Sequence, residues 1–312
     1  FNEYSGSVII PSIITYNGVT YSVSSIGYSA FENCTGLTSV TIPNSVATIG
    51  EYAFEYCTGL PSVTIPNSVA EIGNGAFKGC TGLTSVTIGN TVSSIGNGAF
   101  SGCTGLTSVD IPNSVTSIGS SLFRGCTGLT SVTIPDSVTS IGDYAFHYCK
   151  ALTEVEIPAS MTSIGEGAFY GCTSLEQISI PKNTKIIGKR AFENCTQLSE
   201  ITFDGTLAEW NKLEKDEKWN DGTSNCTLKC NDATEIISRF SLGLEYGSAR
   251  GVQNALMVTG IGTCTDTEIY IPMHFDQMAY SSLLQRYKEL SGGGGGGMGE
   301  EPPFEIDTHI TE

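Results

Sequence analysis

The chain has 312 residues, of which 39% are hydrophobic and 15% charged, with a formal net charge of -17. That acidity argues against nucleic acid or an anionic membrane as partner, since both select basic patches, and no apolar run approaches the ~20 residues of a spanning helix, so no membrane insertion is expected. The length admits one large domain or two small ones, and the chain, which opens at Phe1 without a leader, is read as a mature or truncated piece that does not report its own targeting.

Residues 1–33 read as an N-terminal cap coil. Val8-x-Ile10-Pro11 has the form of a strand, but Ile26-Gly27 follows late, after an insertion containing Tyr16-Asn17-Gly18. Asn-Gly favours a hairpin turn.

Residues 34–203 keep a fixed period. Cys34, Cys57, Cys80, Cys103, Cys126, Cys149, Cys172 and Cys195 stand 23 residues apart, with no insertion or deletion. One unit reads Leu37-x-x-Val40-x-Ile42-Pro43-x-x-Val46-x-x-Ile49-Gly50-x-x-Ala53-Phe54-x-x-Cys57. A constant period of this length marks a solenoid, in which each unit buries its apolar face against the next. Leu37, Val40 and Ile42 suit a short strand, with Val40 and Ile42 inward and Thr41 toward solvent. Pro43 ends the strand because it has no N–H to give a ladder, and Gly50 permits a tight turn. Ala53 and Phe54 are predicted to line the far wall on a short helical turn, with Cys57 packed inside. The expected fold is therefore a β-rich repeat solenoid. It is a right-handed coil stack with one parallel sheet, unbroken through residues 37–203, and a short helical or irregular opposite side. At ~4.8 Å per strand, nine coils give a rod of about 40 Å, expected to be rigid and monomeric.

The L-x-x-L-x-L strand is that of leucine-rich repeats, although Ser45 stands where Asn or Cys is usual. The IP-x-S-V-x-x-IG-x-x-AF-x-x-C-x-x-L form over residues 7–203 resembles the BspA-like, treponemal-type leucine-rich repeats. The resemblance implies a leucine-rich-repeat coil. It also implies a cell-surface or secreted protein of bacteria or some parasitic protists, among which several members are linked to adhesion or host extracellular matrix.

Leu198-x-x-Ile201-x-Phe203 is the last strand of the pattern. Residues 204–232 read as a C-terminal cap: Thr206-x-x-Glu209 fits a capping box opening a short helix, and Trp210, Leu213 and Trp219 are placed to cover the exposed core. In residues 233–290, Val258-Thr259-Gly260-Ile261-Gly262 and Ile269-x-Ile271-Pro272 resemble the opening coil of a second array. No Ala-Phe-x-x-Cys follows; Tyr280, Leu283, Leu284 and Tyr287 recur at helical spacing instead. Residues 291–312 hold a hexaglycine linker and an acidic tail expected to be disordered.

Chemistry is sparse. The repeat cysteines lack the clustered pairs of a zinc site. A spacing of ~5 Å between coils is compatible with disulfides, but an inward ladder of thiols is the plainer reading. Cys226 and Cys230 lie about 13 Å apart if extended, and pair only in a turn. The histidines are His147, His274 and His309. Other copies carry Glu, Lys, Ser, Arg or Tyr at the place of His147, so it is expected to be exposed. No Ser/His/Asp constellation is localised, and the hexaglycine lacks the Gly-Lys-Ser/Thr ending of a phosphate loop. No enzyme activity, cofactor or metal is expected.

Two patches vary between copies and are candidate docking sites. On the sheet face the Ser/Thr ladder becomes acidic at Asp110, Glu154, Glu156 and Glu200. On the opposite side Tyr144, His147, Tyr148 and Tyr170 lie on adjacent coils, where other copies put Gly at several of the same places. A solvated strand face and rings merely covering a coil edge are the plainer alternatives. The expected function is a binding or adhesion module that recognises a protein or glycan partner. A structural stalk, or an accessory domain of a larger surface protein or enzyme, is the alternative.

Overall fold

The computed structural model describes residues 4–216, 218–223, 226–237, 244–245 and 257–258. The chain divides into two compact units, Phe1–Arg239 and Phe240–Glu312. In the second, Leu244–Glu245 pairs antiparallel with Met257–Val258. The second-array opening coil and helix expected up to residue 290, the glycine linker, the acidic tail, His274 and His309 lie outside the described residues.

The first unit is a parallel-strand β-solenoid with almost no helix. Strands recur at the sequence period: Leu37–Thr41, Ser62–Ile65, Ser85–Ile88, Ser108–Asp110, Ser131–Thr133, Gln177–Ile180 and Glu200–Phe203. Partners sit one repeat apart, as in Val63 with Val86 and Ile178 with Ile201. Val63 and Ile65 are buried and Ser62 and Thr64 exposed, the period-2 alternation of a half-buried strand.

The sheet is not the unbroken ladder that the sequence predicts. Its pairing is interrupted between Leu37–Thr41 and Ser62–Ile65, where Pro61 removes a donor. It loosens again where Thr107 N–H reaches Thr84 O, and Thr153 N–H reaches Thr130 O, at 3.4 Å. The coil carrying Glu156 contributes one bridge, to Thr133. A second parallel ladder, not foreseen, runs through the x-Ile pairs. Ser25–Ile26, Thr48–Ile49, Glu71–Ile72 and Ser94–Ile95 form one set, and Ser140–Ile141, Ser163–Ile164, Ile186–Ile187 and Glu214–Lys215 another. From Gly50 onward the glycine after the Ile serves close approach: a Cβ on Gly73 would lie 2.5 Å from Glu51 N.

The far wall is also not helical. Residues before Ala and before Cys adopt left-handed backbone, as at Tyr52 (φ 55°) and Tyr56 (φ 57°), and this breaks any right-handed helical run. Alternate N–H groups then point at the next coil. Tyr52, Phe54 and Tyr56 donate to Asn74, Ala76 and Lys78 carbonyls at 2.9, 2.7 and 2.8 Å. The Phe string continues coil after coil from Phe31 N–H on Ala53 O to Phe192 N–H on Trp219 O. The turn side therefore carries the continuous hydrogen bonding.

Inside, the rings from Phe31 to Phe192 stack with centroids 5.0–5.9 Å apart. Each cysteine from Cys57 to Cys195 turns its thiol to the Phe carbonyl of the preceding coil, as Cys80 Sγ does to Phe54 O at 3.0 Å. No disulfide links the ladder. Cys226 opens the strand Cys226–Lys229, whose extended backbone puts Cys230 about 13 Å away.

At the N-terminal end, Gly6–Ile9 pairs parallel with Leu37–Thr41. The hairpin Ile13–Tyr16/Val19–Ser22 turns at Asn17 and Gly18, both left-handed, as its Asn-Gly predicts. Ile13, Ile14, Tyr16, Val19 and Tyr21 on it are exposed. At the other end the capping box forms: Glu209 N–H donates to Thr206 Oγ1 at 3.2 Å, and Thr206 N–H to Glu209 Oε2 at 2.8 Å. The helix Leu207–Lys212 sets Trp210 edge-on to Phe203 at 5.3 Å, and Trp219 meets both Trp210 and Phe192. Parallel stacking does not stop at Phe203. Glu214–Lys215 and Cys226–Lys229 add a further coil without the sequence motif, and antiparallel Thr234–Ile237 closes it, because backbone pairing needs no particular side chain.

Burial pushes the thiols of Cys57, Cys126 and Cys195 up to about 12. Cys34 to Cys195 are expected to resist alkylation in the native chain and to react fully in denaturant without reductant. Peptide mapping that found disulfide-linked pairs among them would overturn the thiol ladder.

Candidate functional site

The left-handed backbone decides which side chains belong on the turn side. Non-glycine residues at positive φ cost roughly 1–2 kcal/mol, and Asn tolerates the conformation better than most. Within the array the position before Ala holds Ser29, Tyr52, Gly75, Gly98, Ser121, Tyr144, Gly167 and Arg190, and the one before Cys holds Asn33, Tyr56, Gly79, Gly102, Gly125, Tyr148, Gly171 and Asn194. Tyrosine is thus held against backbone preference at Tyr52, Tyr56, Tyr144 and Tyr148, the last two with φ of 57° and 59°.

Each of these rings lies on the glycine of the following coil. A Cβ on Gly167 would be 2.7 Å from the Tyr144 ring, and one on Gly171 2.5 Å from that of Tyr148. Gly75 and Gly79 stand in the same relation to Tyr52 and Tyr56. Glycine follows tyrosine at each of these places because the ring fills the space that a neighbouring Cβ needs.

The four turn-side residues expected to act together are brought together. His147 stacks on Tyr170 at 4.9 Å and 19°, and meets Tyr148 at 4.3 Å and Tyr144 at 5.5 Å, both edge-on. Tyr148 and Tyr170 are edge-on at 5.4 Å. Tyr144 Oη donates to Glu166, and Asn194 Nδ2 donates to Tyr170 Oη at 3.0 Å. Lys150 Nζ lies 5.7 Å from the Tyr148 ring centre. Glu166, Asn194 and Lys150 were not singled out from the sequence, since their contacts join residues 22 and 24 apart or depend on how a lysine folds back. Tyr148 is 42% exposed and the other three are half-buried.

The expectation of an exposed His147 is corrected. Tyr170 of the next coil covers its ring, and Nδ1 is enclosed without a hydrogen-bond partner. Burial lowers the imidazole below its ordinary value, and Arg124 adds to the effect. The hydrogen bond to Glu166 raises the Tyr144 phenol, and burial raises that of Tyr170.

The acidic residues are more dispersed. Asp110 accepts from Thr133 Oγ1 at 3.2 Å, and Glu156 is the next partner of Thr133 along the face. Glu200 pairs with Gln177 on one side and is neutralised by Lys229 Nζ at 2.6 Å on the other. Glu154 is exposed one repeat before Gln177. Two coils therefore separate Asp110 from Glu156, and Glu154 from Glu200, and they form no continuous anionic surface.

Among the described residues no His, Cys, Asp and Glu are grouped as metal ligands would be, and no helix is long and apolar enough to cross a membrane. An open groove of about 510 Å³ passes Thr64, Pro66, Asn67, Thr87, Gly89 and Asn90. Its lining offers the hydroxyls of Thr64, Ser68 and Thr87 and holds no acid, base or thiol beside them.

The profile of the BspA type Leucine rich repeat region matches residues 12–130 and 116–213, in six copies. Among solved structures, a leucine-rich repeat protein of T. pallidum is 35% identical over 54% of this chain and 77% of its own, with a TM-score of 0.50. A leucine-rich repeat protein of Bacteroides ovatus is 30% identical over 72% and 71%, with a TM-score of 0.47. A leucine rich cell surface protein of Faecalibacterium prausnitzii is 26% identical over 69% and 91%, with a TM-score of 0.33. No curated protein matches the chain.

Two outcomes are expected. Gly171→Ala loses about 1–3 kcal/mol of stability, and less in a Tyr148→Ser background; equal losses in denaturant titrations of both would remove the ring as the obstacle. His147 protonates less readily in the folded chain than unfolded. Its contribution is therefore complete above the unfolded value of 6.5 and is lost as pH falls below it. The wild-type stability profile should decline through that window more steeply than that of His147→Gln, and parallel profiles would contradict the enclosed ring.

Proposed function

The chain belongs to the BspA-type leucine-rich repeat family, and from that premise we propose that it is a monomeric, non-catalytic binding module of a microbial surface or secreted protein, recognising a protein or glycan partner. Surface or secreted placement rests on the family and on nothing else in the chain. The family is generally non-catalytic, which supports reading the chain as a binder.

The observation that carries the reading is the cluster of Tyr144, His147, Tyr148 and Tyr170. Four rings from two coils are assembled on a side where the backbone favours glycine, and two of them keep left-handed φ at a cost. Rings fixed in this way offer contact area with little side-chain entropy to lose. The sheet-face carboxylates are weaker candidates: Glu200 is already ion-paired, and exposed charges alone contribute little affinity.

The test is a binding screen of the chain against host matrix proteins and glycans, followed by two paired variants on the ligand found. Tyr144→Ser with Tyr148→Ser is expected to weaken binding by about tenfold or more. Glu154→Gln with Glu156→Gln is expected to change it by less than about threefold. A ligand whose affinity survives both pairs, with the fold intact by circular dichroism, would remove both docking patches, and a screen that yields no ligand would leave a structural stalk as the better reading.

A further inference from the structure

The Tyr144/Tyr148 site has a counterpart in the same chain. Tyr52 and Tyr56 occupy the same two left-handed positions four repeats earlier, 92 residues away, and within the array only these two coils put tyrosine at both. Each pair is followed by a coil with glycine at both places, on which the rings lie: Gly75 and Gly79 after the first, Gly167 and Gly171 after the second. Each second tyrosine has a lysine Nζ 5.7 Å from its ring centre, Lys78 for Tyr56 and Lys150 for Tyr148. Tyr56 and Tyr148 are 43% and 42% exposed. Where the second module stacks His147 on Tyr170, the first pairs Glu55 with Lys78 at 2.8 Å, so its cation is balanced.

We propose that the two tyrosine modules form one bipartite site for a linear, uncharged polysaccharide; this deepens the binding role argued above and rests on it. Four coils at ~4.8 Å place the modules about 19 Å apart. The spacing is fixed, because Tyr52, Gly75, Gly98, Ser121 and Tyr144 each donate a backbone N–H to the next coil at 2.7–2.9 Å. Two like sites at a set interval suit a ligand that itself repeats, as the units of a linear polymer do. Tyrosine faces stack on the C–H faces of sugar rings, and fixed polar groups beside them (Glu166, Asn194, Lys150) meet hydroxyls. The electrostatics select against an anionic polymer: residues 1–200 carry 14 Asp/Glu and 7 Lys/Arg. Each module alone offers one well-exposed ring, Tyr56 or Tyr148, so affinity comes from engaging both on one strand.

The experiment is affinity electrophoresis of the whole chain in gels containing starch, xylan, mannan or mixed-linkage β-glucan, with heparin as the anionic polymer. At least one neutral polymer is expected to retard the chain and heparin is not. On the retarding polymer, Tyr56→Asn and Tyr148→Asn each weaken binding by about tenfold or more, and the double variant loses it. Asn accepts left-handed φ more readily than Tyr, so an unchanged thermal midpoint separates lost contact from lost fold. The disaccharide of the same sugar binds at least about a hundredfold more weakly than the polymer. Retardation by no neutral polymer, equal retardation by heparin, or a disaccharide as tight as the polymer would each overturn the bipartite glycan site. A protein ligand that depends on Tyr148 and not on Tyr56 would also overturn it while leaving the binding role standing; a screen that finds no ligand at all removes the binding role itself.

Discussion

The array depends on the N–H groups that each turn directs at its neighbour. Alternate donors, such as those of Tyr52, Phe54 and Tyr56, reach the next coil of the array at 2.7–3.1 Å. The donors between them close turns onto their own coil, as Ala53 N–H does on Gly50 O. That alternation requires two left-handed residues per coil, which explains why Gly, Asn and Ser dominate those places. It also explains the constancy of the period. An inserted residue would rotate the string of donors away from their acceptors and leave buried polar groups unmatched.

The column inside follows from the same register. Stacking at 5.0–5.9 Å brings each Phe ring onto the next, and the carbonyl of each Phe that lies against a cysteine of the next coil receives its thiol. Cysteine serves both demands of that place. It is small and apolar enough for a fully buried position and still donates a weak hydrogen bond. The C-terminal end obeys the rule that exposed edges are covered: Trp210 and Trp219 pack over the last rings, and the strand Thr234–Ile237 pairs antiparallel with Cys226–Lys229.

Most of this architecture could be read from residues that point inward. Leu, Val, Ile, Phe and Cys recur in one register, and the buried column is made of them. The turn side is not the short helix expected, and the contrary signal is distributed over several copies: Gly75 and Gly79, Gly98 and Gly102, each pair four apart and flanking Ala-Phe. The x-Ile ladder escaped notice because two-residue strands are too short for alternation to appear. Tyr144, His147, Tyr148 and Tyr170 were found by comparing copies position by position. The enclosure of His147 was not, because its cover, Tyr170, lies one repeat away and contacts at that separation are invisible within a single unit.

Near-identical repeats are prone to unequal recombination, which deletes or duplicates whole units without disturbing the reading frame. The tyrosine–glycine contacts restrict which of those products can fold. A deletion that placed the Tyr52/Tyr56 coil against one bearing Ser121, rather than against Gly75 and Gly79, would set a Cβ where a ring now lies at 2.6 Å. A rearrangement that keeps each tyrosine coil against a glycine coil preserves these contacts, and one that separates them loses the space the ring occupies.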